Sequence, residues 1–446
     1  MGDSIWSCDA VSEVKSEGMV IFRPFLVSVC FVTGALFAGS PTSVAVLGGE
    51  AGEGTGFGSS LTGDWGGVRS GMAEKGLTVD LNGIYSFQGV AGGGLNLGHD
   101  VGNVFSGNLG VVFDTEKAGL WPGGILKARL EGRGGATALR GAGATSPVNN
   151  QALFPLVEGS GGNEVLALTE LTFTQFLTEK IGLTGGLLNT TYGDNNPITG
   201  NAISNQHFMN LGFLYSPVEA GVAPAVTLGG GVVLIPVEGV MGSFTVFGSE
   251  ETAGKNPFAL YEGTTFATEW EFEYELGEKP GGMVFGGLYS VNQLRLPFGG
   301  DPRLVLEEIE AGEEIETDED SWAVFWNGYQ YLVGDEERGM GVFARAGLSD
   351  GSPNPVRAHA ALGLGGVGLL PGREKDRWGA GMYYQKLADG VISQLDGLDD
   401  EIGGEVFYNV ALTPWMHVTL DVQVIDSAVP QAGTVVVLGT RVGIRF

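Results

Sequence analysis

The 446-residue chain contains 78 glycines and 18 prolines, yet 43% of its residues are hydrophobic, which is too apolar for a disordered protein. The glycines follow no collagen-like period. The formal net charge of −29 argues against nucleic acid as a partner, because a surface that binds phosphates must be basic. The same charge suits a lumen or an outer surface that handles neutral or cationic solutes, and solubility explains it equally well.

Residues 1–45 are predicted to be an upstream extension followed by a secretory signal peptide. Arg23 precedes an apolar run over residues 25–38, and small residues suited to cleavage follow at 43–45. Met19 makes the better start, because the residues before it carry four acidic side chains that would spoil the charged part of the signal. Both cysteines lie within this region, so we expect a mature chain without disulfides.

Residues 46–76 are predicted to form a glycine-rich lead-in that ends in a short helix. Val68 and Met72 are four residues apart, Asp64 stands where a helix cap is needed, and Gly76 stands where the helix should stop. We expect this helix to lead into the first strand of the region that follows.

Residues 77–446 repeat an alternation of apolar and polar side chains, which predicts strands with two unlike faces. In the clearest case, aromatic residues alternate with Glu269, Glu271, Glu273 and Glu275. Four carboxylates on one face need water, because burying them in a packed core costs too much desolvation energy. The aromatic face is equally unsuited to water, so lipid outside and a wet lumen inside satisfy both faces.

This pattern marks seventeen candidate strands, near residues 77–87, 103–114, 124–133, 165–177, 181–189, 207–216, 225–235, 240–248, 264–276, 282–292, 321–333, 338–348, 355–369, 376–386, 403–412, 416–425 and 434–446. A bacterial barrel with both termini in the periplasm needs an even number. We assign short connectors to the periplasm and long connectors to the outside. The assignment made forward from the first strand conflicts with the one made backward from the last strand between residues 217 and 263. We therefore predict an all-β fold over 77–446, a transmembrane antiparallel barrel of sixteen strands, with one false or merged strand between 217 and 263.

The last candidate strand, residues 434–446, should close this barrel by pairing with the first strand near Leu77, which leaves no edge exposed. Its apolar face should meet lipid and ends at Phe446, which we expect at the periplasmic rim. Arg441 and Arg445 lie on the other face and should point into the lumen.

Several motifs in chain order resemble those of the carbohydrate-selective, OprB-type porins: Gly63-Asp64-Trp65-Gly66-Gly67-x-Arg69, Phe343-Ala344-Arg345-Ala346-Gly347, Ser349-Asp350-Gly351-Ser352-Pro353-Asn354-Pro355, Gly363-Leu364-Gly365-Gly366, Pro371-Gly372-Arg373, Asp376-Arg377-Trp378-Gly379, Glu405-Val406-Phe407-Tyr408-Asn409 and Thr413-Pro414-Trp415. The resemblance covers roughly residues 61–446 and is strongest after Gly339. It implies a sixteen-stranded outer-membrane barrel that admits monosaccharides by diffusion. It also implies that Phe446 marks the chain for the barrel-insertion machinery.

A sugar path requires charged side chains that hydrogen-bond hydroxyl groups, and opposite charges across a lumen also order its water and favour polar solutes. The primary candidates for pore-lining or sugar-binding residues are Arg129, Glu131 and Arg133 on one strand and Glu269, Glu271 and Glu273 on another. The secondary candidates are Glu170, Arg345, Arg357 and Tyr383. The alternative for each is an ordinary solvated lumen residue. Because the stacked glutamates repel one another, we expect lumen arginines or a bound cation opposite them.

The sequence gives little support for nucleotide binding, metal binding or catalysis. Gly363-x-Gly365-x-x-Gly368 fits a dinucleotide fingerprint but lies within a predicted strand and is not followed by a helix. The four histidines lack metal-ligand spacing, and no nucleophile stands in a recognisable motif. Residues 307–320 contain nine acidic side chains, which indicates a solvated external loop; divalent-cation binding is the alternative, although the spacing of an EF-hand is missing. We predict no catalytic residues, cofactor or resident metal.

The sequence therefore predicts an outer-membrane porin for passive diffusion of carbohydrates through a charged, water-filled lumen. The alternatives are a general cation-selective porin and a structural or adhesive barrel. A barrel-bound enzyme would need a nucleophile and a base at the rim, which the motifs do not provide. The expected partners are small sugars, outer-membrane lipid and the barrel-insertion machinery, with no nucleic acid. A homotrimer is the candidate assembly, because barrels of this size commonly form trimers.

Overall fold

The computed structural model describes residues 59–95, 100–152, 165–191, 196–214, 216–253, 256, 263–291, 320–388 and 397–446. The predicted signal peptide, most of the glycine-rich lead-in and acidic residues 307–319 lie outside the described residues. Among the described residues, no helix is long and apolar enough to cross a membrane.

Within the described residues, sixteen strands form one closed barrel in which sequence neighbours pair antiparallel and the first strand pairs with the last. The prediction of a sixteen-stranded all-β barrel is confirmed. The strands are β1 (Leu77–Gly92), β2 (Val101–Asp114), β3 (Gly124–Ala136), β4 (Val165–Thr178), β5 (Ile181–Asn189), β6 (Val226–Val237), β7 (Val240–Gly248), β8 (Thr264–Glu275), β9 (Pro280–Val291), β10 (Ser321–Gly334), β11 (Gly339–Ser349), β12 (Val356–Val367), β13 (Arg377–Leu387), β14 (Glu401–Thr413), β15 (Met416–Asp426) and β16 (Thr434–Arg445).

Side chains alternate between an exposed outer face and a buried inner face, as the period of two predicts. On β2, Phe105 is 61% exposed whereas Ser106 is fully buried, and on β15, Leu420 is 54% exposed whereas Asp421 is buried. The barrel thus has an apolar exterior and a polar interior, which is the pattern that a lipid environment selects.

The pairing of β1 with β16 closes the barrel, with Ser86 opposite Arg441. The ring of Phe446 lies over Gly83 on the outer face, where a Cβ on that glycine would come within 3.1 Å of the ring. The side chain of Arg441 is buried on the inner face, as predicted. We call the barrel end with the shorter connectors the short-turn end and the opposite end the long-loop end. Strand β1 begins and strand β16 ends at the short-turn end.

The surplus predicted strand is the one at residues 207–216, so its predicted location between residues 217 and 263 was wrong. Residues Leu211–Phe213 form a 3-10 turn in the interior of the barrel. Phe208 and Phe213 are completely buried against protein, so the apolar positions that imitate a lipid-facing strand serve an internal packing role.

Helix α1 (Val68–Glu74) lies at the short-turn end and leads into β1. Asp64 Oδ1 accepts a hydrogen bond from the backbone N–H of Ser70 across 2.8 Å. Gly76 ends this region with φ +82°, and a Cβ there would lie 2.3 Å from the main-chain oxygen of Asp114. Only glycine combines this backbone conformation with so close an approach. Two further short helices, α2 (Leu139–Ala142) and α3 (Pro217–Ala220), lie in long-loop connectors.

Candidate functional site

Two connectors from the long-loop end fold into the barrel. We call residues 137–152, between β3 and β4, the first inner segment, and residues 196–214 and 216–225, between β5 and β6, the second inner segment. Almost all of their described residues are buried. Because they contact lumen-facing side chains, they occupy part of the lumen and narrow it.

The first inner segment lies against β1, β2, β15 and β16. The main-chain oxygen of Val148 accepts hydrogen bonds from Gln88 Nε2 at 2.7 Å and from Gln423 Nε2 at 2.8 Å. Ser106 Oγ donates to Gln151 Oε1 across 3.0 Å. The small apolar residues of the first inner segment pack on Ile425, Val435 and Val437 of the barrel wall. Polar and apolar contacts together fix this segment on one side of the lumen.

The second inner segment packs on β10 to β14 through an aromatic cluster. Phe208 stacks on Phe213 with ring centroids 4.5 Å apart, and it makes an edge-to-face contact with Phe407 with ring centroids 4.8 Å apart. Phe343 and Tyr383 of the wall complete the cluster. Further along, Val218 and Val222 join a second cluster with wall residues of β7 to β12, among them Phe247, Leu288 and Phe325.

A buried arginine joins the two inner segments to the closing strand. Arg441 Nη1 donates to Asn150 Oδ1 across 3.1 Å, and Nη2 donates to the main-chain oxygen of His207 across 2.6 Å. Burial, followed by the positive charges of Arg377 and Arg441, lowers the pKa of His207 well below its usual value. The packed segment therefore holds a neutral imidazole.

Two glutamates of β14 also hold the inner segments. The carboxylate of Glu401 accepts from the backbone N–H groups of Thr145 and Ser146. The carboxylate of Glu405 accepts from those of Met209 and Asn210. Glu405 lies in the predicted strand near residues 403–412, but neither it nor Glu401, which precedes that predicted strand, was among the predicted site residues.

A charged ladder follows the lumen face of β3 and continues onto β4. It consists of Lys127, Arg129, Glu131, Arg133 and Glu170. Arg129 is paired in register with Glu170, and Arg133 Nη1 donates to Asn108 Oδ1 of β2 across 3.2 Å. Glu131 and Arg133 are buried, whereas Lys127, Arg129 and Glu170 remain partly exposed. The structure thus brings four predicted site residues together and adds Lys127.

The predicted glutamates of β8 form the second charged group on the lumen face. Glu269 is buried, Glu271 is partly exposed and Glu273 is exposed toward the short-turn end. Glu271 lies four residues from the short-turn end of β8, and Arg129 lies five residues from that end of β3. Arg129 and Glu271 therefore lie at similar distances from the short-turn ends of their strands.

The remaining three predicted residues lie apart from the ladder. Arg345 is buried beneath the second inner segment and donates from Nη2 to Thr199 Oγ1 across 2.8 Å. Tyr383 is buried beside Phe213 and donates from its hydroxyl to Glu401 Oε1 across 2.8 Å. Arg357 lies exposed at the irregular start of β12, beside Gly351 at the long-loop end. Arg345 and Tyr383 therefore support the inner segment, and Arg357 belongs to the rim.

No group of three or more histidine, cysteine, aspartate or glutamate side chains is arranged to hold a metal ion in the part of the chain that the structure describes.

A closed sixteen-stranded barrel, apolar outside and charged inside, whose lumen is narrowed by inward-folded connectors, defines an outer-membrane porin. The chain belongs to the carbohydrate-selective porin, OprB family, whose family model matches residues 99–446. The family resemblance seen in the sequence motifs is thereby confirmed.

Similar proteins agree with this placement. Porin B of Pseudomonas aeruginosa is 27% identical over 133 residues, a match that covers 25% of this chain and 29% of that protein. The high-pH structure of OprB from Pseudomonas putida has a TM-score of 0.73 at 21% identity and covers 87% of this chain and 98% of that one. The low-pH structure of the same protein has a TM-score of 0.56 at 16% identity with the same coverage. At these identities the structural likeness shows the fold.

Proposed function

We propose that this porin lets carbohydrates, and monosaccharides in particular, diffuse across the outer membrane down their concentration gradient, without catalysis. The observation that carries the proposal is the charged ladder of β3 and β4 together with the glutamates of β8, in a lumen narrowed by two inner segments. Family membership supports the same solute class.

The chemistry of the two charged groups suits a polyhydroxylated solute. The guanidinium of Arg129 offers N–H donors to sugar oxygens, and the carboxylates of Glu170 and Glu271 accept from sugar hydroxyl groups. Charges of both signs also create a field across the lumen that orders water. A polar solute can replace that water and keep its hydrogen bonds, whereas an apolar solute cannot.

Conductance and uptake measurements test this function directly. Purified protein in planar bilayers should form open channels, and liposomes that contain it should swell in glucose faster than protein-free liposomes do. Glucose should also reduce the ionic current by occupying the ladder. A protein that gives neither conductance nor sugar uptake would contradict the proposal.

A general cation-selective porin is the second candidate, because Glu269, Glu271 and Glu273 share one lumen face and the chain has a net charge of −29. Reversal potentials in a salt gradient measure its selectivity. Strong cation preference without current block by glucose would favour this candidate. A structural or adhesive barrel, the third alternative, would conduct no ions.

We further propose how the chain is exported, oriented in the membrane and assembled. Residues 1–45 would direct export and be removed, and residues 77–446 would form the membrane-embedded barrel. The short-turn end would face the periplasm, with Phe446 available to the insertion machinery, and outer-membrane lipid would surround the apolar face. Whether the barrel assembles as a homotrimer is tested by native mass measurement in detergent.

A further inference from the structure

Glu401 and Glu405 lie four residues apart on the lumen face of β14, and both side chains are buried. Glu401 uses both carboxylate oxygens: Oε2 accepts from the N–H of Thr145 at 2.6 Å and Oε1 accepts from the N–H of Ser146 at 2.8 Å. One wall residue thus holds two successive backbone groups of the first inner segment.

Glu405 repeats this arrangement on the second inner segment. Its Oε1 accepts from the N–H of Met209 at 2.6 Å, and its Oε2 accepts from the N–H of Asn210 at 2.7 Å. We call each of these two arrangements a carboxylate clamp.

The inner segments are joined to each other between the two clamps. Ser146 Oγ donates to Asn210 Oδ1 across 2.7 Å, and the N–H of Gly212 donates to Ser146 Oγ across 3.1 Å. Backbone hydrogen bonds run from Leu211 to Pro147 and from Asn150 to Met209. The two clamps therefore act on one connected body of protein.

This connected body extends from β14 toward the charged ladder. The turn Asn150–Ala152 lies against β2 and β3, and β3 carries Arg129 and Glu131. A displacement of the body away from β14 would therefore change the space beside the ladder.

We propose that Glu401 and Glu405 are positioning residues for the solute path. By clamping the inner segments to β14, they set the aperture between these segments and the ladder, and with it the upper size of the solute that passes. This inference rests on the proposed function, because it assumes that solutes move past the ladder.

Glutamine substitutions separate the clamp from simple packing. Glu401→Gln and Glu405→Gln keep the size of the side chain, but one accepting oxygen becomes an NH₂ group that faces a backbone N–H. Each clamp then keeps one acceptor and gains a donor opposite a donor. The matched control is Glu374→Gln, because Glu374 accepts from the N–H of Gly372 in an exposed turn outside the lumen.

Single-channel recordings and liposome swelling with a monosaccharide, a disaccharide and a trisaccharide measure the aperture. The single variants should show larger and noisier conductance and a shift of the size limit to larger sugars, and the double variant should show the largest shift. Glu374→Gln should behave as wild type. Unchanged conductance and size limit in the double variant would overturn the positioning role.

Hydrogen exchange distinguishes local release of an inner segment from a general folding defect of a variant. Backbone N–H groups of Thr145 and Ser146 should exchange faster in Glu401→Gln, and those of Met209 and Asn210 in Glu405→Gln, while the barrel strands stay protected. Two results would overturn a local clamp: a loss of protection throughout the strands, or unchanged protection at the clamped N–H groups. A wild-type protein without conductance would overturn the proposed function itself, whereas a conducting wild type with unaltered variants overturns only this inference.

Discussion

The guanidinium of Arg69 donates from Nη1 to the main-chain oxygen of Phe446 across 2.9 Å, and from Nη2 to that of Val79 across 3.0 Å. It also lies 5.0 Å from the ring centre of Trp65. Arg69 and Trp65 both belong to the motif that precedes helix α1 and continues into it. The motif therefore connects α1 to β1 and to the end of β16, at the place where the barrel closes.

Replacing Arg69 by alanine should destabilise the barrel by about 1.5–3 kcal/mol, because hydrogen bonds from a charged group to two partly buried main-chain oxygens are lost. The urea concentration at which the folded, heat-modifiable form disappears on SDS gels measures the effect. Lys75→Ala removes an exposed charge from the same region and should leave that concentration unchanged. Equal urea resistance of Arg69→Ala and wild type would contradict the role of this contact.

The sequence predicts the faces of the strands well, because alternation is local and the two environments differ strongly. In the predicted strand near residues 416–425, a period of two places Leu420 and Asp421 on opposite faces, and in the structure Leu420 is exposed whereas Asp421 is buried. The false strand at 207–216 shows the limit of this argument. Phe208 and Phe213 are apolar because they pack on wall aromatics, and a local pattern cannot distinguish a protein partner from lipid.

Which lumen-facing residues are covered by protein could not be predicted in the same way. Arg345 and Tyr383 lie on the lumen face, but whether water or protein covers them depends on the path of a distant connector. Arg345 contacts Thr199, 146 residues away, and Glu401 contacts Thr145, 256 residues away. The period of two contains no information about such contacts. The ladder of β3 was accessible to prediction because its charges lie on one strand.

Arg129→Gln should weaken the block of ionic current by glucose about two- to tenfold, which corresponds to the loss of roughly 0.5–1.5 kcal/mol of hydrogen bonding. It should also shift the reversal potential toward cation selectivity, because a positive charge leaves the lumen. Arg357→Gln is the matched control, since this arginine is exposed at the long-loop rim. Equal effects of both substitutions would show that the ladder has no special role.

Glu271→Gln should shift the reversal potential in the opposite direction, because it removes a partly exposed negative charge from the lumen face of β8. Salt-gradient measurements at low ionic strength reveal the change most clearly, since screening is weakest there. Glu278→Gln changes an exposed residue in the turn after β8 and should have little effect. A reversal potential that stays at the wild-type value in Glu271→Gln would place the ion path away from β8.

Acid should loosen the second inner segment through His207. Burial and the charges of Arg377 and Arg441 lower the pKa of this histidine in the packed state, whereas a released histidine has an ordinary pKa of about 6.5. Below that pH the released state binds a proton that the packed state does not, so packing is most stable above pH ~6.5 and weakens as pH falls. The slope approaches about 1.4 kcal/mol for each pH unit while the packed histidine stays neutral.

Hydrogen exchange of residues 205–214 at pH 7.5 and at pH 5 measures this effect, after correction for the intrinsic pH dependence of exchange. Protection should fall at the lower pH in wild type. In His207→Gln, which has no titrating ring, the difference between the two conditions should largely disappear. The strands provide an internal reference, because local release of the segment should leave their protection unchanged. A variant with the full wild-type pH response would assign the effect to other groups and exclude His207 as its origin.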